Sequence, residues 1–256
     1  NFLLTAGKNW STYYRVSGYT DRFQGAGASA SGTFNAGTDG GPTGTGRADR
    51  VLQTRILIDE LDRVGLRPFN LNLQVQHGEP IPEVPDANYA TTIGLSALLV
   101  TRKDLSLGLA YNHAHISNSD LQTLKTTGID GDAQAAIAGM RWFSDKWYLA
   151  TTLARLTNHE TTDEDIYFDG WGWEVYGHYN LYKRWWTVAG WNMLEPDSDQ
   201  TQAGDYNIKY GVIGIRYTFR KFEQMLYANV RLEDSHRADG TRRNDIYTIG
   251  VRWDLP

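Results

Sequence analysis

Phe69-Asn70-Leu71-Asn72-Leu73-Gln74-Val75-Gln76 alternates apolar side chain and amide through eight consecutive positions. Successive side chains of a strand point to opposite faces, so strict period two sets one face in an apolar medium and the other in a polar one. The pattern recurs outward from this octet. Thr91 to Thr101 places Ile93, Leu95, Ala97 and Leu99 on one face, and Leu105 to His115 does the same with Leu105, Leu107, Leu109 and Tyr111. Only Arg102-Lys103-Asp104 separates those two runs, which predicts a tight antiparallel hairpin. Further strands are predicted over Phe2 to Lys8, Arg47 to Asp59, Ala133 to Phe143, Trp147 to Thr157, Trp171 to Tyr182, Trp185 to Leu194, Ile208 to Phe219, Met225 to Glu233 and Ile246 to Leu255.

That makes 12 strands, and the links between them alternate long and short. The long ones include a Pro-rich link from Gly78 to Ala87, polar loops over Ser117 to Asp132, Glu195 to Asn207 and Asp234 to Asp245, and an acidic loop from His159 to Gly170. The short ones turn through Ser144-Asp145-Lys146, Lys183-Arg184 and Arg220 to Gln224. A soluble sandwich has no use for such asymmetry. A transmembrane barrel does, because its periplasmic turns are short and its outer loops long. Closure is expected too, since an open sheet edge in lipid strands unpaired N–H and C=O groups. Trp142, Phe143, Trp147, Tyr148, Tyr182, Trp185, Trp186, Tyr217, Phe219 and Phe222 gather where strands meet turns, the place of an interfacial girdle.

Composition agrees. The 256 residues carry 9 Trp, 15 Tyr and 8 Phe at a mean hydropathy of −0.49, an aromatic load that suits an apolar outside and a wet inside. No apolar run approaches the roughly 18–20 residues of a membrane helix. Cysteine is absent, which removes disulfides and thiolate metal sites. A net charge of −5 without a basic patch argues against nucleic acid as a partner. Nothing marks a linker, so residues 1–256 are read as one domain. Asn1 is no initiator Met and no signal peptide is visible, so a mature, trimmed or incomplete N-terminus is expected.

The longest link, Trp10 to Gly46, spans 37 residues. It begins as Trp10-Ser11-Thr12-Tyr13-Tyr14-Arg15-Val16-Ser17-Gly18-Tyr19-Thr20-Asp21 and dissolves into Gly, Ala, Ser and Thr, with Pro42 near its end. Structureless connections of that length are uncommon unless functional, so the segment reads as a long flexible functional insert. If the apolar faces meet lipid, parity turns Arg47, Asp49, Gln53, Arg55, Asn70, Asn72, Gln74, Gln76, Arg141, Glu174, Tyr176, His178, Asn180, Arg216, Asn229, Arg231, Glu233, Arg252 and Asp254 inward. Amides mixed with both signs of charge describe a hydrated wall, and its arginines could shape a field that selects ions.

Catalytic signals are weak by comparison. No Gly-x-Ser-x-Gly elbow occurs, and the His115/Ser117 and Ser235/His236 neighbours sit at loop edges. His113 and His115 have a spacing possible for a metal pair, yet no acidic or thiol partner stands near them in sequence. Asp163, Glu164, Asp165 and Asp169 could hold a divalent cation or bridge to lipopolysaccharide, although such runs are usually solvated loops. The expectation is no catalytic residue, no cofactor and no metal.

Gly7-Lys8-Asn9, the Tyr13-Tyr14 pair, Gly18-Tyr19-Thr20-Asp21 and Gly46-Arg47 resemble, in order and approximate spacing, the strand 5, constriction loop and strand 6 of Gram-negative general diffusion porins. Trp147-Tyr148-Leu149-Ala150-Thr151-Thr152 is similar to that family's second half, and the resemblance covers essentially the whole chain. It implies a trimeric outer-membrane barrel passing small hydrophilic solutes and ions, with lipid and lipopolysaccharide around it. It also implies that residues 10–46 fold inward as the constriction. Asp21 matches the first acidic residue of that loop and Arg47 the arginine opening the next strand. The expected constriction is therefore Asp21, Arg47, Arg15, Arg22, Asp49 and Arg55, and the expected lining Arg141, Glu174, Arg216, Arg231 and Arg252.

Three departures from the family stand out. Gly25 replaces its second loop acid. Only 12 of 16 strands are visible, and the strands carrying the facing basic cluster would precede Asn1. Leu255-Pro256 lacks the terminal aromatic residue. Either an N-terminal quarter is missing or the chain is a 12-stranded relative; clipping at both ends would account for the second and third departures. Two other functions stay open: a 12-stranded channel specific for acidic sugars, and a barrel hydrolase.

Overall fold

A computed structural model describes residues 1–58, 66–101, 104–117, 124–220 and 224–253. Its strands are β1 (Phe2–Trp10), β2 (Arg47–Ile58), β3 (Leu66–Pro80), β4 (Asn88–Thr101), β5 (Leu105–Ile116), β6 (Ala133–Phe143), β7 (Trp147–Thr161), β8 (Tyr167–Tyr182), β9 (Trp185–Pro196), β10 (Ile208–Arg220), β11 (Gln224–Glu233) and β12 (Ile246–Trp253). All pair antiparallel with their sequence neighbours in one 12-stranded sheet ordered β1 to β12, whose edges are β1 and β12. The sheet is not closed on itself, contrary to the closure expected of a barrel in lipid. Phe222, Asp254 and the Leu255-Pro256 end lie outside the described residues.

The alternation in the octet settles which side is which. Leu73 and Val75 are exposed, while Asn72, Gln74 and Gln76 are buried to within 1% of full burial. The neighbouring strands repeat this inversion, with Ile93, Leu95, Leu107, Leu109, Leu149, Leu153, Ile213 and Ile249 all exposed on the outer face. A sheet that shows leucine to its surroundings and hides amides is built for an apolar solvent.

Strands run further than the pattern predicted, mostly on the long-loop side. The acidic loop of 159–170 shrinks to residues 162–166, because Glu160 pairs with Phe168 and Thr161 with Tyr167. Asp169 is accordingly a strand residue, accepting the Asn158 N–H at 2.8 Å. On the same side, Ile81, Val84 and Ala87 pack with Leu124 and Ile129 over the inward Ala114, Ile116 and Ala133. Part of the inner face is therefore a dry core, where a hydrated wall was expected.

Parity fails in β2. Between Gly7↔Val51 and Asn9↔Ala48 the register slips, so Asp49 and Arg50 together stand opposite Lys8, with Arg50 at φ +51°. An extra residue inverts the faces on its N-terminal side. Ala48 is the buried residue, and Arg47 and Asp49 turn to the face opposite Gln53. Asp49 there pairs with Lys8 at 2.9 Å. The girdle also divides by parity. Trp142, Tyr182, Trp185 and Phe219 point outward and exposed, with Trp142 on Trp147 at 4.2 Å and Trp185 on Tyr217 at 4.9 Å. Tyr148 and Trp186, one residue out of phase, are buried on the inner face instead.

Candidate functional site

The segment after β1 folds into the sheet. Residues Tyr14–Ser17 form one helical turn, α1, and Asn35–Gly37 a 3₁₀ turn. Thr12, Tyr13, Val16, Ser17, Tyr19, Thr20, Ala30 and Ser31 are all buried. Flexibility is thus not what its composition encodes; small residues let the backbone come close to the strands. At Gly172 a Cβ would stand 1.5 Å from the Ala30 carbonyl oxygen, and at Gly190 it would strike the Phe23 ring at 2.1 Å.

Inward amides hold this backbone. Gln74 accepts the Thr12 N–H at 3.0 Å and donates to the Gly44 carbonyl at 3.0 Å. Gln76 donates to Gly41 (2.8 Å), Asn112 to Thr43 (2.6 Å) and Asn229 to Gln24 (2.6 Å), while Asn192 accepts the Ser29 N–H at 3.3 Å. One segment thereby touches β3, β5, β9 and β11, so the sheet must curve round it. A buried carbonyl or N–H without a partner costs about 1–3 kcal/mol, and an amide, being donor and acceptor at once, answers either. Glu174 belongs to the same system. Expected as lining, it is fully buried beneath the loop, accepting the Ala30 N–H at 2.8 Å and the Thr20 hydroxyl at 2.5 Å.

Toward the short-turn side the loop stops short of filling the interior and leaves a cavity of about 1010 Å³. Asp21 and Arg22 of the loop line it, with Arg141 of β6, Arg216 of β10 and Arg252 of β12. Aromatic faces hold the guanidiniums: Arg22 lies 4.3 Å from the Tyr148 ring centroid, Arg141 4.7 Å from Tyr19, and Arg216 5.4 Å from Trp186. A cation over a ring face is attracted by its quadrupole and kept in place without a carboxylate. Asp21 is engaged otherwise, accepting the Tyr14 hydroxyl at 2.7 Å. Burial and that carboxylate push the Tyr14 hydroxyl up from its ordinary range.

Five of the expected residues therefore meet in one cavity. Arg15 of α1 sits elsewhere, beside Arg55, and burial together with that second guanidinium lowers it. Arg55 in turn donates to Asn70 at 3.2 Å. Arg231 pairs with Glu233 and stacks on Tyr210 at 3.6 Å, away from the cavity. Arg47 and Asp49 are excluded by the bulge. Of the aromatic cradle, parity had already turned Tyr176 inward, whereas Tyr148 and Trp186 were read as girdle and Tyr19 was given no place in the lining. Strand parity was the available signal for Tyr148 and Trp186.

Of the weaker candidates, Ser235 donates to Glu233 at 2.6 Å, and the His236 ring faces the Asn207 amide at 3.3 Å. Neither serves the other as nucleophile and base. The histidine pair differs from its reading. Asp132, 17 residues beyond His115, lies 3.1 Å from His113 Nε2 and 3.0 Å from His115 Nδ1. The acidic partner absent in sequence is present in space. Burial works to raise the Asp132 carboxyl, but hydrogen bonds from His115 and the Ile116 N–H and the charge of both rings outweigh it and hold it below its ordinary range.

No family model and no curated protein matches the sequence. Solved structures do. Salmonella typhi OmpF, determined in complex with daunomycin, superposes with a TM-score of 0.78 at 17% identity over 97% of this chain and 73% of its own. The outer membrane channel DcaP of Acinetobacter baumannii gives 0.67 at 12% identity, over 97% and 70%. A trimer form of OmpT, an outer membrane protein of Vibrio cholerae, gives 0.56 at 15% identity, over 97% and 73%. The fold is that of bacterial outer-membrane channels. Identities this low carry the fold alone.

Proposed function

We propose that this chain forms a water-filled channel in the bacterial outer membrane, passing small hydrophilic solutes and ions by passive diffusion and performing no chemistry. The observation that carries this is the inverted sheet, leucine outward and amide inward, with a long segment packed inside it beside a polar cavity. Residues 10–46 set the width, and the cavity beside them sets the preference. Four arginines, Arg22, Arg141, Arg216 and Arg252, line it against two aspartates, Asp21 of the loop and Asp145 of the turn between β6 and β7. Gly25 stands where the family resemblance expects a second loop acid, so the arginines stay in excess. The local field therefore favours anions, and the reading extends to acidic sugars as preferred solutes. The family resemblance further suggests a homotrimer.

Planar-bilayer recording of the purified protein across a KCl gradient tests the proposal. A reversal potential of the sign set by chloride is expected, with faster liposome swelling in acidic than in neutral sugars of equal size. Absence of conductance would overturn the channel; a cation-directed potential would overturn the role of the arginines.

A further inference from the structure

The outer end of β5 carries two histidines for which the channel has no use. His113 and His115 are two positions apart, so the pleat sets both rings on one face. The intervening Ala114 is fully buried on the inner face, which places the rings on the outer one. Pairing of β5 with β6, in which Ala114 stands opposite Ala133, delivers Asp132 to the same spot. Its Oδ2 lies 3.1 Å from His113 Nε2 and 3.0 Å from His115 Nδ1. All three ligand atoms fall within 4.8 Å of one another.

We propose that His113, His115 and Asp132 bind a divalent transition-metal ion, Zn²⁺ or Cu²⁺, on the outward rim of the sheet. Two imidazoles and one carboxylate suit these ions, whereas Ca²⁺ and Mg²⁺ ask for oxygen ligands throughout. Metal–ligand bonds of about 2.0–2.2 Å in a tetrahedron set neighbouring ligand atoms roughly 3.3–3.5 Å apart. The observed 3.0 and 3.1 Å need open by only a few tenths of an ångström, within the reach of side-chain torsions. Asp132 is already oriented, because its other oxygen accepts the Ile116 N–H at 2.8 Å. Such support of a ligating carboxylate is what a metal site requires of its surroundings. The fourth position is left to water or an external donor.

The bound ion ties the end of β5 to the start of β6 and stabilises the pair by mass action. Its place on the outer face keeps it out of the conduction path. Site and channel can therefore fail separately.

Isothermal titration of the full chain, purified in detergent and stripped with chelator, tests this with ZnCl₂. One ion per chain, bound saturably, is expected; the Cu²⁺-loaded protein should show two equatorial nitrogens by electron paramagnetic resonance. His115→Ala should weaken binding at least about tenfold. Asp132→Asn, which keeps an acceptor for Ile116, should do likewise. His77→Ala serves as control: His77 shares the outer face but stands two strands away, opposite Thr91, which pairs with His115. Absence of saturable binding by the parent chain, or binding lost in His77→Ala and kept in His113→Ala, overturns the assignment. Heat-modifiable mobility confirms that each variant is folded.

Discussion

Two regions of the inner face, both polar, are put to opposite uses. Under the loop the side chains are amides, Gln74, Gln76, Asn112, Asn192 and Asn229, and all are buried. Beside the loop they are guanidiniums, Arg141, Arg216 and Arg252, around an open cavity that Arg22 of the loop also lines. The division follows from desolvation. A neutral amide gives up water cheaply when a backbone group replaces it, whereas a charge taken from water needs a counter-charge or a ring face. Inward polarity is thus a bed for the chain in one place and a surface for solutes in the other.

The largest test of that contrast removes the covering. Deleting Gly25 to Thr45 uncovers the amide bed and should raise single-channel conductance several-fold; an unaltered value would put the segment outside the conduction path. Next, Gly172→Val forces a side chain into the Ala30 carbonyl. Overpacking of this kind costs about 1–3 kcal/mol, and should appear as loop cleavage by added protease, which the parent resists. Continued resistance would mean that the loop does not lean on β8. Glu174→Leu deprives the Ala30 N–H and the Thr20 hydroxyl of their acceptor, at about 1–3 kcal/mol, and noisier open-channel current should follow. A quiet trace would show that the other pegs suffice.

On the cavity side the effects are smaller. A unit charge about 4 Å from a permeating ion is worth about 1 kcal/mol in water, so Arg216→Ala should lower the anion/cation permeability ratio by about fivefold at most, and less as salt rises. Arg47→Ala, on the opposite face, should leave the ratio unchanged. If both variants act alike, the division between regions is false. Asp21→Asn should shift the ratio less than Arg216→Ala does, and toward anions.

These regions were unequally legible. The strand interiors were readable, because period two needs only local side-chain direction; Ala133 to Phe143 even begins and ends where the alternation says, whereas β3, β7 and β8 run about four residues beyond it on the long-loop side. Trp185 and Trp186 show where this stops: both read as girdle, yet adjacent residues must face opposite ways. Arg47 and Asp49 were misplaced because one added residue at Arg50 flips the faces, and a bulge leaves no mark in polarity. Glu174 was correctly turned inward, but nothing nearby in the chain announces that Thr20 and Ala30 will cover it. Asp132 and the histidines repeat that lesson at a separation of 17 residues from His115.

By itself, then, the order of residues determined the strands, their sidedness and the alternation of long and short links, all consequences of backbone geometry and of two solvents meeting across a sheet. The tertiary structure decided which inward polar groups touch water. That depends on where the segment between β1 and β2 comes to rest, and its resting place is set jointly by side chains from strands far apart in the chain, at glycines where its backbone alone can fit.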